Sequence, residues 1–188
     1  MKRFSYSGIA AAALVAAALM TARVYAAAPT SDCTDRVTGG GWIVPEGSQF
    51  ANFGAGGGLL QGNLWGYLNY LDHTADLHVT AQDVVAYCIA CTNSVTAQCR
   101  RITYFPATVN GVDGYTVIVQ VCDAGEPGVE DSFAICIPDL GYCAGGVLGG
   151  DNKPSGGNIQ LHNADPDCEG AIPVCEELVE CPCFVCPP

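Results

Sequence analysis

The stretch YTVIVQVC, residues 115–122, decides the fold class. Tyr115, Val117, Val119 and Val121 form an unbroken apolar series at every second position, and Thr116, Ile118, Gln120 and Cys122 alternate with them. A period of two belongs to a β-strand with one face buried, because successive side chains point to opposite sides. Outward from this stretch, LWGYLNYL (64–71), ADLHVT (75–80), DVVAYCIA (83–90), RITYFPATV (101–109), DSFAICI (131–137) and GNIQLH (157–162) read in the same way. Glycine-rich stretches read as punctuation between strands. NGVDG (110–114) is a hairpin connection, and DAGEPGVED (123–131) a longer turn around Pro127 and Gly128. Pro106 has no N–H to give a ladder, which places its strand at an edge or at a bulge. A series of roughly seven to ten short strands without intervening helices predicts an all-β fold, an antiparallel β-sandwich.

The beginning of the chain has another character. Lys2 and Arg3 precede an apolar run from Ile9 to Met20, and Val24-Tyr25-Ala26 supplies small residues after it. This is the pattern of a secretory signal peptide, residues 1–26, cut after Ala26. The run is shorter than the ~20 residues of a membrane helix. Cys33 follows Thr30-Ser31-Asp32 rather than an aliphatic lipobox, so no lipid anchor is expected, and no later segment reads as a transmembrane span. The expectation is a secreted protein, extracellular, in a periplasm or at a cell surface. The chain has 19 acidic residues, and removing residues 1–26 leaves only Arg36, Arg100, Arg101 and Lys153 as strong bases. Such a surface repels nucleic acid and anionic lipid, and neither is an expected partner.

After residue 26 the composition divides the chain into an N-terminal segment (27–37), a β-domain (38–162) and an acidic, Cys- and Pro-rich tail (163–188). All 12 cysteines lie beyond the expected cut: Cys33, Cys88, Cys91, Cys99, Cys122, Cys136, Cys143, Cys168, Cys175, Cys181, Cys183 and Cys186. An even count in an exported chain reads as a disulfide framework. Local pairing is expected for Cys91–Cys99, which bracket TNSVTAQ, and for Cys136–Cys143, which bracket IPDLGY, with Cys88–Cys122 as a cross-strand link. Cys33 is expected to meet one of the tail cysteines. The tail itself reads as a disulfide staple, with soft-metal chelation by Cys181, Cys183 and Cys186, a redox centre, or bridges between neighbouring chains as alternatives.

Candidate sites are few. Asp123, Glu126, Glu130 and Asp131 crowd one turn and offer hard oxygen ligands for weak calcium binding, although their spacing is not that of an EF-hand and a solvated hairpin tip is the plain alternative. His73 and His78, with Asp72, Asp76 and His162, form a possible metal set without the fixed geometry of a helical pair. No Gly-x-Ser-x-Gly elbow is present, and a glycosidase dyad of Asp123 and Asp131 would need a cleft lined by sugar-stacking aromatics. Trp42 and Trp65 lie in strand-like runs and read as core. The runs GAGGG (54–58) and GGVLGG (145–150) lack the Lys-Ser/Thr of a phosphate loop.

Several motifs in order carry a resemblance. TGGGWI (38–43), ANFGAGGGLLQGNLWGYLNYLDH (51–73), ATVNGVDGYTVIVQVCDAGEPGVEDSFAI (107–135) and GYCAGGVLGG with GGNIQLH (141–162) together resemble the post-choice-of-anchor (post-COAP) domain of secreted bacterial proteins. The resemblance implies a compact extracellular β-domain without catalytic activity. It does not account for the cysteines. The function expected is that of a disulfide-reinforced structural or cell-surface interaction protein with an unidentified surface partner and no resident cofactor. A calcium- or cation-binding module is the alternative, and a secreted hydrolase the third reading.

Overall fold

A computed structural model of the chain describes residues 33–47, 49–149, 155–162, 168, 170–178 and 181–187. The expected signal peptide, residues 1–26, lies outside the described residues. Ten strands follow one another: β1 (Asp35–Ile43), β2 (Ala51–Leu60), β3 (Asn63–Asp72), β4 (Leu77–Ala81), β5 (Val84–Ala90), β6 (Gln98–Val109), β7 (Val112–Asp123), β8 (Ser132–Ile137), β9 (Tyr142–Val147) and β10 (Gly156–His162). A 3-10 turn, Pro138–Leu140, separates β8 from β9. The fold is all-β, and YTVIVQVC lies within β7. Among the described residues, no helix is long and apolar enough to cross a membrane.

The strands form one antiparallel sheet in the order β10-β1-β2-β3-β4-β6-β7-β8-β9, with β5 paired to β6 beside that path. The antiparallel all-β fold expected from the sequence is what forms, with its strands in one continuous sheet. One sheet curls on itself, and its inner face meets its own far side. Phe53 of β2 stacks on Phe133 of β8 with ring centroids 3.9 Å apart, and the hydroxyls of Tyr70 on β3 and Tyr142 on β9 are hydrogen-bonded. The bend passes through β6, which pairs with β5 from Cys99 to Tyr104 and with β4 at Thr108 and Val109. The register shifts at Tyr104–Ala107, around Pro106, allow this one strand to change neighbours. A bulge, rather than an edge, is therefore the place of Pro106.

Asp35, at the start of β1, is fully buried and crosses the interior to Arg100 of β6. The guanidinium donates from Nε to Oδ1 at 3.0 Å and from Nη2 to Oδ2 at 2.7 Å, and the hydroxyl of Tyr87 on β5 donates to Asp35 Oδ1. Burial, reinforced by the Asp35 carboxylate, drives the Tyr87 hydroxyl far above its ordinary pKa, which keeps it a donor. This group ties three strands together where the sheet curls.

The glycine runs are not punctuation. Residues 54–58 lie inside β2, and Gly145 and Gly146 inside β9. Several of these glycines are approached too closely for a side chain: a Cβ on Gly57 would lie 2.8 Å from Cγ2 of Ile102 in the core, and one on Gly145 would lie 2.8 Å from Cβ of Ala134. The β2–β3 hairpin closes through Gln61 and Gly62 with φ of 51° and 74°, and the β6–β7 hairpin through Asn110 and Gly111 with 49° and 82°. Both are turns of the left-handed class that matches strand twist.

The outer edge of β10 is closed by the acidic turn. Asp131 Oδ2 accepts the N–H of Ile159 at 2.6 Å, and Asp123 Oδ2 accepts that of Leu161 at 2.7 Å. These alternate residues bear β10's outward backbone donors, and an unprotected edge of that kind is a template for unwanted pairing.

The tail lies over the outer face of the β5–β9 half. Val174 bridges to Ile89 of β5 in parallel, with Ile89 N–H donating to Pro173 O and Cys175 N–H to Ile89 O, both at 2.9 Å. Arg101 Nη1 donates to Glu176 O at 2.6 Å, and its guanidinium stands 5.3 Å from the centre of the Phe184 ring. Leu178 and Phe184 pack with Ile118 and Cys136.

All 12 cysteines are paired, as Cys33–Cys168, Cys88–Cys175, Cys91–Cys186, Cys99–Cys122, Cys136–Cys181 and Cys143–Cys183. The expected partner of Cys33 in the tail is Cys168. The three other expected pairs are corrected. Cys99, not Cys88, faces Cys122 in the β6–β7 register, while Cys88 faces Arg101. Cys136 and Cys143 are direct neighbours on β8 and β9, but the tail crosses above them and takes both, through Cys181 and Cys183. Cys91 directly follows β5 with φ of 53° and reaches Cys186 instead of Cys99.

Candidate functional site: the open outer face

The tail divides the outer surface in two. Among the described residues, it covers the β5–β9 half and leaves the outer face of β10-β1-β2-β3-β4 open. Trp42 and Trp65, expected in the core, are 43% and 36% exposed, and Tyr67 is 41% exposed. The correction has a simple cause. Ile43, Phe53, Leu68 and Tyr70 occupy the inward positions of these strands, and the tryptophans have the opposite parity.

The strand registers arrange the outward residues in rows across the sheet. One row runs Gly156–Trp42–Asn52–Leu71–His78, and the next Asn158–Gly40–Gly54–Asn69–Thr80. The third runs Gln160–Thr38–Gly56–Tyr67, and the fourth His162–Arg36–Gly58–Trp65. Two rings lie down on glycines opposite them. A Cβ on Gly156 would be 2.5 Å from Cη2 of Trp42, and one on Gly56 would be 2.7 Å from Cε1 of Tyr67. Between them a Cβ on Gly54 would meet nothing within 4 Å. The result is a trough floored by backbone at Gly40 and Gly54, with Trp42 on one side and Tyr67 on the other. Trp65 meets Tyr67 edge-on, with ring centroids 5.8 Å apart.

The three histidines are spread over this region and are not gathered. His73 Nε2 donates to Asn52 Oδ1 at 2.7 Å while its ring packs on Phe50. His78 Nε2 donates to Asn69 Oδ1 at 2.9 Å, and His162 Nε2 is hydrogen-bonded to Thr38 Oγ1 at 2.9 Å. His162 is on β10 and His78 on β4, with three strands between them. The proposed histidine set thus serves to fix amide and hydroxyl side chains.

The acids of the turn between β7 and β8 are engaged with backbone. Asp131 Oδ1 accepts the Ala124 N–H at 2.9 Å and Asp123 Oδ1 the Gly125 N–H at 2.8 Å, in addition to their bonds to β10. Asn158 donates to Glu126 Oε1 at 3.4 Å. Burial first, and then the neighbouring charges of Asp123 and Glu126, raise the Asp131 carboxyl above the ordinary aspartate range, against the two backbone N–H groups that lower it. Among the described residues, one group of three His, Cys, Asp or Glu side chains converges within 4.8 Å, namely Cys91, Cys99 and Cys122. Each of these sulfurs is in a disulfide.

A cavity of about 520 Å³ lies under the tail on the covered half. Gln120, Ala134 and Gly145 form its floor and Cys183, Val185 and Pro187 its roof. The Gln120 amide is already committed, accepting from Arg101 Nη2 at 3.0 Å and lying 3.5 Å from both Cys91 Sγ and Val185 O. Sequence reading missed the open face because glycine at every other position of β2 erased the strand signal on which the face is built. The signal that would have found it is the Gln61-Gly62 turn followed by Trp65 and Tyr67 at alternate positions. No protein-family model, curated protein or solved structure matches this chain.

Proposed function

We propose that this is an exported, disulfide-reinforced interaction module that holds a cell-surface partner through the open outer face of β10-β1-β2-β3-β4 and performs no catalysis. The observation that carries this reading is the division of the sheet. The tail is bonded over one half by four disulfides, Cys88–Cys175, Cys91–Cys186, Cys136–Cys181 and Cys143–Cys183, and the other half presents Trp42, Trp65 and Tyr67 to solvent. An exposed aromatic cluster of this kind is the usual mark of a contact surface. Six disulfides favour an oxidising compartment. The likeness of residues 38–162 to post-COAP domains of exported proteins supports the same assignment. The test is retention of purified, oxidised protein on washed cell envelopes of the producing organism. The double variant Trp42→Ala/Tyr67→Ala is expected to lose retention while Val85→Ser, on β5, keeps it. Equal retention of all three would overturn the reading.

A cation at the acidic turn is the second reading, and the crowding of Asp123 and Glu126 around Asp131 favours it, since a cation would relieve their repulsion. Calorimetry with and without millimolar calcium tests it: a rise in Tm that is absent in Glu126→Gln/Glu130→Gln supports it, and no shift removes it.

A further inference from the structure

We infer that the trough over Gly40 and Gly54 is a binding site for a glycan chain built of flat, β-linked hexopyranose units. This rests on the open face being the interaction surface and names the chemistry of its partner.

The argument begins with the rings. Trp42 and Tyr67 lie down on Gly156 and Gly56 instead of standing out from the sheet. Rings packed that closely on glycine lean over the sheet, and with Trp42 43% and Tyr67 41% exposed, the π-surface they offer is matched by a group with positive edges. The axial C–H bonds on one side of a β-linked pyranose supply that edge over an area the size of an aromatic ring. A protein partner would be expected to insert side chains between standing aromatics, whereas here the floor between the rings is bare backbone. Gly54 has open space where a side chain would begin.

The two rings are separated by four residues along the strands and two strands across, about 13 Å by 10 Å. That spacing suits an oligomer and exceeds the reach of a single sugar. Polar groups at sugar-hydroxyl height flank the trough. Asn69 stands at one end of the glycine row with its carbonyl oxygen held by His78 at 2.9 Å, which leaves its NH₂ group as a donor of fixed orientation. Thr38 and Asn52 are similarly held by His162 and His73.

Charge selects further. The chain has 19 acidic residues, yet no outward position of β10, β1, β2, β3 or β4 bears a carboxylate, and Arg36 is the one strong base there. The acidic turn reaches this face only at its β10 margin, where Glu126 Oε1 accepts from Asn158 at 3.4 Å, and the rest of the face offers aromatic, amide and hydroxyl groups. That is complementary to an uncharged polyhydroxylated chain.

The experiment uses the oxidised protein with cellohexaose and chitohexaose as probes, which differ in the 2-substituent, read by tryptophan fluorescence and isothermal calorimetry. Saturable binding of either hexasaccharide is expected, with little binding of glucose or N-acetylglucosamine. Trp42→Ala should weaken it about tenfold, the share of one aromatic platform. Gly54→Leu should abolish it by filling the trough without loss of Tm, because its Cβ meets no atom, and Val85→Ser should bind as the parent does. Absence of binding by both hexasaccharides, or equal binding by Gly54→Leu, would overturn the inference. If envelope retention still depends on Trp42 and Tyr67 when both sugars fail, the glycan is wrong and the interaction face stands; if retention is also insensitive, both fall.

Discussion

The ring of Tyr67 lies across Gly56, its cross-strand partner, so closely that a Cβ there would be 2.7 Å from Cε1. The glycine is what lets the tyrosine lie flat. Gly56→Val should lift the ring off the sheet and reduce envelope retention severalfold. Its stability cost should stay near 1 kcal/mol, since an exposed side chain yields where backbone would not. Retention assays and melting curves on the same preparation separate the two effects.

The two bonds from the acidic turn to β10 predict a conformational consequence. In Asp131→Asn, the amide nitrogen must face either the Ala124 or the Ile159 N–H, leaving one donor unsatisfied. The expected cost is about 1–3 kcal/mol. Hydrogen exchange should show loss of protection at Ile159 and Leu161 before any change in β6 or β7. Uniform loosening of the whole sheet would argue against a local clasp.

Arg100 and Asp35 are buried together, with side chains 8% and 0% exposed. Arg100→Ala strands a buried carboxylate, and the expected loss is about 3–5 kcal/mol. The double change Asp35→Leu/Arg100→Met removes both charges and should recover much of that loss, which denaturant unfolding would show.

The tail depends on its disulfides more than the sheet does. The segment after His162 has few large apolar side chains, and backbone ordering costs ~1–2 kcal/mol per residue. Each bridge contributes about 2–4 kcal/mol by restricting the unfolded chain. Mild reduction should open residues 170–187 to protease while the β signature of the body persists. Equal cleavage before and after reduction would mean that the tail is not held by its bridges.

Much of this was legible in the sequence, for identifiable reasons. β7 and the Asn110-Gly111 hairpin were plain because apolar alternation and turn chemistry act locally, and the Cys33 link to the tail followed from its place a few residues after the expected cut, since the two ends of a β-domain often lie close together. The glycine-rich strand β2 was not legible, because its glycines answer to Tyr67 and Ile102, residues distant in the chain. The disulfide pairs failed for the same reason. Cys136 and Cys143 are seven apart in the chain and adjacent in the sheet, and only the course of the tail across them explains why they bond elsewhere. Trp42 and Trp65 read as core since an isolated strand does not reveal which of its faces the curled sheet encloses.

The central claim is that the tail is bonded across one half of the sheet and the other half is the working surface. Hydroxyl-radical footprinting of the oxidised protein, free and bound to cell envelopes, tests it most directly. The account predicts that Trp42, Trp65 and Tyr67 react readily in the free protein and are protected on binding, while Phe105 on β6 and Val185 in the tail react alike in both states. Protection confined to the tail, or absent from all three aromatics, would contradict it.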